Sequence, residues 1–148
     1  MEAEYVIAMS VSLGVIGLFI TLGIVFKLAG NKLERYIQHK FDEEEIVAAT
    51  TRANFFGLKS KGFKQIRGNA AIVLTKDKLY SIRSMPLQEN MIPFSGIEKV
   101  TLPRSFLGKS IFRKLLCVHY LNEGQQDEIA WAVKNPEYWK TTIENLIK

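Results

Sequence analysis

The chain has 148 residues, of which 47% are hydrophobic and 24% charged, with a net charge of +5. Such a balance excludes a disordered polyelectrolyte and leaves room for one folded domain with its own core. The single cysteine, Cys117, excludes an intramolecular disulfide and fits a reducing compartment.

Tyr5–Phe26 is an uncharged run of 22 residues. As a helix it would rise about 33 Å, enough for a hydrocarbon core of about 30 Å. It lacks the polar face of a soluble helix. A basic leader and a small-residue cleavage pattern are also missing, which argues against a signal peptide. The expectation is a transmembrane helix over residues 5–29. Glu2 and Glu4 precede it, while Lys27, Lys32, Arg35 and Lys40 follow. The positive side stays inside, so the N-terminus is expected outside and the rest of the chain in the cytoplasm. Ser10, Gly14, Gly17 and Thr21 share one helical face. Small residues in that register let two backbones approach, so the span is expected to associate with itself or with another membrane protein.

Residues 30–42 read as a helical linker. Gly30 can end the span, Asn31 can cap a new helix, and Glu34 can complete a capping box. Leu33, Tyr36, Ile37 and Phe41 make one apolar stripe, with Lys32, Arg35 and Lys40 placed to meet headgroups. Two arrangements fit: a helix lying in the membrane interface, or a stalk whose stripe packs on the following domain. The acidic run 42–45 marks the boundary. Residues 1–45 hold 4 Lys/Arg and 7 Asp/Glu, whereas 46–148 hold 16 and 8. A basic domain beside a bilayer points to an anionic membrane surface before nucleic acid, which is not expected as a partner.

From Ile46 the period changes. IVAATTRANFF is rich in β-branched and aromatic residues, and AAIVLT and KLYSIRS flank Lys76-Asp77 as a hairpin. NMIPF, IEKVTL, LLCVHYL and EIAWAV follow as further strands. Alternation in the last places Ile129, Trp131 and Val133 on one face. Seven strands at hairpin spacing predict a β-sandwich or barrel. Asn135, Pro136 and Glu137 then start a helix, and Trp139, Ile143, Leu146 and Ile147 give it one apolar face. The fold class is α+β, mainly β, with that helix closing one end.

Four stretches carry a resemblance: EEEIVAATTRANFFG, GNAAIVLTKDKLYSI, IPFSGIEKV and WAVKNPEYWKTTI. Together they resemble the pleckstrin-homology (PH) superfold, in its GRAM and bacterial PH-like branch, over residues 43–148. The resemblance implies the fold, seven strands followed by one capping helix, and does not by itself carry a function. It also implies that the loop joining the first two strands offers basic side chains to lipid phosphates.

That loop is GLKSKGFKQIRG, with Lys59, Lys61, Lys64 and Arg67 around Phe63 and Ile66. Lys64-x-x-Arg67 departs from the alternating Lys-x-Arg of high-affinity headgroup sites, so diffuse attraction to anionic lipid is the expectation. A second basic stretch, LPRSFLGKSIFRKLL, interleaves Arg104, Lys109, Arg113 and Lys114 with Phe106, Leu107, Ile111 and Phe112. Its apolar residues are expected mainly in the core; Lys109 and Arg113 join the lipid-contacting set. No catalytic set is legible: Cys117 and His119 share a strand face without an orienting third group. Spacing along the chain suggests no metal set and no cofactor motif. The reading is a single-span protein displaying a cytoplasmic module for anionic membrane lipid. The alternative is a non-enzymatic scaffold or accessory subunit for a membrane protein.

Overall fold

The stretches from Ile46 onward assemble into one antiparallel sheet in the computed structural model, which describes residues 32–148. The expected span, its small-residue face and the Asn31 cap lie outside the described residues. Among the described residues no helix is long and apolar enough to cross a membrane.

A helix, α1 (residues 32–40), and a short acidic turn, Glu43–Glu45, precede the strands. These are β1 (Ala48–Leu58), β2 (Gly68–Leu74), β3 (Lys78–Ser84), β4 (Leu87–Pro93), β5 (Ile97–Thr101), β6 (Ser105–Phe106), β7 (Lys109–Ser110), β8 (Leu116–Asn122) and β9 (Gln125–Ala132). Helix α2 (Pro136–Leu146) closes the chain. Seven strands pair in the order β4-β3-β2-β1-β9-β8-β5, while β6 and β7 form a separate hairpin that periodicity does not announce.

The sheet curls because β1 cannot run straight. Its register shifts between Thr50 and Ala53 against β2, and between Phe55 and Gly57 against β9. Such irregularities bend a strand and sharpen its twist. One face therefore closes on itself. Phe55, Ile72, Leu79, Ile92, Val118, Ile129 and Trp131 join a single buried cluster with Trp139 and Ile143 of α2. The Trp131 indole N–H donates to Ser81 Oγ at 2.9 Å. Those residues stand on β9 and β3, three strand spacings apart, about 14 Å in a flat sheet. Their contact requires the curl. Helix α2 packs against β5 and β8. Asn135 sits at its start in a left-handed backbone, φ 53°, without the side-chain cap that the sequence suggests; its carbonyl accepts from Tyr138 instead.

The outer face has two separate covers. The β6–β7 hairpin buries Phe106 with Phe56, Leu115, Cys117 and Ala130. Leu33 and Ile37 of helix α1, with Phe41 just after it, are buried on Ala71, Val73 and Ile82 of β2 and β3. The stripe thus packs on the domain, the second of the two expected arrangements. Lys40, expected at headgroups, pairs with Glu89 at 2.5 Å, and the Tyr36 hydroxyl donates to the same carboxylate at 3.0 Å.

Leu33 is fully buried. Leu33→Ala in a fragment of residues 32–148 is expected to lower the unfolding free energy by about 2–5 kcal/mol, the usual cost of a core truncation. Urea unfolding measures this, and an unchanged midpoint would remove α1 from the core.

Candidate functional site

The loop between β1 and β2 is tied at both ends. Lys59–Lys61 form a 3-10 turn. Ser60 donates its backbone N–H (2.9 Å) and its hydroxyl (2.6 Å) to Asp127, a carboxylate only 5% exposed. Tyr120 reaches the same carboxylate at 3.4 Å, and burial pushes its phenol above the usual range. Further along, the Gln65 amide accepts from Leu58 N–H at 2.9 Å and donates to Leu58 C=O at 2.7 Å. One side chain thus presents the donor–acceptor pair of a neighbouring strand. It also donates to Gly62 C=O at 2.5 Å.

Gly57 makes this closure possible. Its φ is 147°, and a Cβ there would lie 3.0 Å from Leu107 and 3.2 Å from Gln65. Any side chain at that position would push both the loop and the hairpin outward.

The second basic stretch lies against the first. Lys109 donates to the Gln65 carbonyl, and Leu107 reaches Gly57. Between the two stretches opens a cleft of about 540 Å³ lined by Asn54, Phe56, Ile66, Arg67, Ile111, Arg113 and Ala132. Two guanidinium groups share it, and no carboxylate lines it. Arg67 stacks over the Phe56 ring, 5.0 Å from its centroid, which holds the cation at the wall with no anionic partner among the described residues.

Three large apolar side chains project into solvent beside these cations: Phe63 (69% exposed), Ile66 (76%) and Phe112 (94%). Phe112 was expected to pack inward with Phe106, and only Phe106 does. Phe112 also has φ 60°, a left-handed backbone that costs a non-glycine residue about 1–3 kcal/mol. Ser110 holds it there: its hydroxyl donates to Arg104 C=O at 2.7 Å and accepts from Phe112 N–H at 3.1 Å.

The six basic residues singled out in the sequence divide into roles. Lys61, Lys64, Arg67 and Arg113 are exposed on this surface. Lys59 pairs with Glu128 at 2.5 Å, and Lys109 holds the loop. Sequence reasoning missed Asn54, Gln65 and Asp127, which wall or brace the site; nothing in local composition marks them. It also missed Arg83, whose guanidinium lies over Phe55 at 5.5 Å, with Nε buried and without a hydrogen-bond partner among the described residues.

The chain matches no family model, and no curated protein matches it in sequence.

Gln65→Ala should free the loop while sparing the sheet. Trypsin is expected to cut after Lys61 or Lys64 much faster in that variant than in the parent fragment, with circular dichroism unchanged. Equal cutting rates would mean that the amide does not hold the loop.

Proposed function

We propose that the surface formed by the two basic stretches binds anionic membrane lipid, with a headgroup phosphate in the cleft between Arg67 and Arg113. The observation that carries this reading is the convergence of the 59–67 and 104–114 segments into one cationic surface tipped by exposed Phe63, Ile66 and Phe112. Arginine forks match phosphate oxygens in pairs and are weakly hydrated, so a partly walled cleft suits them. Each further cation near an anionic surface adds about 1 kcal/mol. An exposed phenylalanine moved from water into the acyl boundary adds roughly 1.5–3 kcal/mol. Phe112 forgoes the stabilisation that burial would give and holds a strained backbone besides, which favours a role in contact with an apolar phase.

The wider assignment rests on the sequence. The curled sheet with its closing helix is in keeping with the resemblance to PH and GRAM domains. The apolar run at residues 5–29, uncharged as far as Phe26, would tether the module to the cytoplasmic face of a membrane. Binding, not catalysis, is the activity that this set of residues supports.

The test is sedimentation of residues 32–148, which contain all three buried clusters, with vesicles of phosphatidylserine and phosphatidylcholine. Pelleting should need phosphatidylserine and weaken as salt rises. Arg67→Ser with Arg113→Ser should abolish most of it. Phe112→Gly relieves the positive φ, so it should leave stability equal or higher while weakening vesicle binding. Equal pelleting with neutral vesicles, or binding indifferent to all three changes, would overturn the lipid reading in favour of a protein scaffold.

A further inference from the structure

We propose that Cys117, His119 and Glu128 form a binding site for one zinc-class divalent ion on the outer face of β8 and β9. Cys117 and His119 stand two apart on β8 and share a face, and Glu128 of β9 lies directly opposite His119. Among the described residues they are the group of thiol, imidazole and carboxylate whose ligand atoms all lie within 4.8 Å of one another. Cys117 Sγ is 3.8 Å from His119 Nε2, and Glu128 Oε1 is 3.5 Å from the other ring nitrogen, Nδ1; a single nitrogen takes the ion, so the spread to be closed is the 4.8 Å of the whole group. Zinc–sulfur, zinc–nitrogen and zinc–oxygen bonds of ordinary length place tetrahedral ligands about 3.4–3.6 Å apart. From a spread of up to 4.8 Å the ligand atoms need to close by up to about 1.4 Å, within rotamer adjustment of the two partly exposed residues His119 and Glu128.

The donor set selects the ion. One sulfur, one nitrogen and one oxygen suit a borderline-soft cation and do not suit magnesium or calcium, which take oxygen ligands. Three protein ligands leave the fourth position to solvent, on the side where His119 and Glu128 are partly exposed. Thr101 Oγ1 lies 2.8 Å from His119 Nε2, so it fixes the ring when Nδ1 takes the ion and must yield when Nε2 does. Burial holds the His119 pKa below the usual imidazole value, which keeps a nitrogen lone pair free at neutral pH. Burial likewise pushes the Cys117 thiol up to about 12, so without metal it keeps its proton. Binding therefore breaks the S–H bond, forms a metal–sulfur bond and releases one proton to solvent, with no change of oxidation state. The Lys59 ammonium now occupies the Glu128 carboxylate at 2.5 Å. The incoming ion must displace it.

The experiment uses the full chain in detergent, stripped by a chelator and titrated with Co²⁺ as an optical probe, then with Zn²⁺ in competition. A sulfur-to-cobalt charge-transfer band saturating at one equivalent is expected, and Zn²⁺ should quench it. Cys117→Ser should lose the band. His119→Gln and Glu128→Gln alter partly exposed side chains and should weaken binding by at least about tenfold each. Lys59→Ala should tighten it by removing the competing cation, an effect that a purely structural cluster would not produce. No band in the parent chain with its thiol titrating as reduced would overturn the proposal. A band indifferent to His119→Gln and Glu128→Gln would do the same.

Discussion

Strand β1 is the constraint on which the rest of the structure depends. It is the one strand that pairs with β2 on one edge and β9 on the other, so it joins the N-terminal four strands to the C-terminal three. Its two register shifts turn what would be a flat ribbon into a curled sheet with one enclosed face. Without that bend Trp131 could not reach Ser81, and the buried cluster would be an exposed apolar wall. The same irregularity brings Gly57 to the outer face, where the Gln65 side chain and the β6–β7 hairpin meet. Core closure and surface assembly thus share a single cause.

Much of the secondary structure was legible because it repeats locally. Trp139 and Ile143 are buried at the i, i+4 spacing that the helix period requires, and alternation placed Ile129, Trp131 and Val133 toward the main cluster. The β6–β7 hairpin was not legible, since two-residue strands have no period to read. Phe106 and Phe112 look alike in sequence. They differ because one faces β1, β8 and β9 while the other follows the hairpin into solvent. No residue pattern within the segment distinguishes them.

The candidate surface was half legible. Both basic stretches stood out by composition, but not their adjacency, which is set by β9 pairing with β1 across most of the chain. Nor could spacing along the chain reveal Glu128 opposite His119, because strand register, not sequence distance, makes them neighbours. The restraints on the loop come from uncharged or buried groups, Gln65 and Asp127, whose importance lies only in what they face. Rigidity of this kind matters for binding. A loop already held in place loses less conformational entropy when it meets a ligand.

Docking of α1 has a consequence for reach. Because Leu33 is sealed against the sheet and α1 begins at residue 32, only the five residues 27–31 separate the run ending at Phe26 from the folded body. Five residues extend at most about 18 Å. If that run crosses the bilayer as proposed, the domain samples a shell a few nanometres deep beside the headgroups and nowhere else. Its effective concentration at the surface is then in the millimolar range, as for any short tether. A contact with a millimolar dissociation constant would be about half occupied under those conditions, so the surface can turn over quickly between lipids while the protein never leaves the membrane.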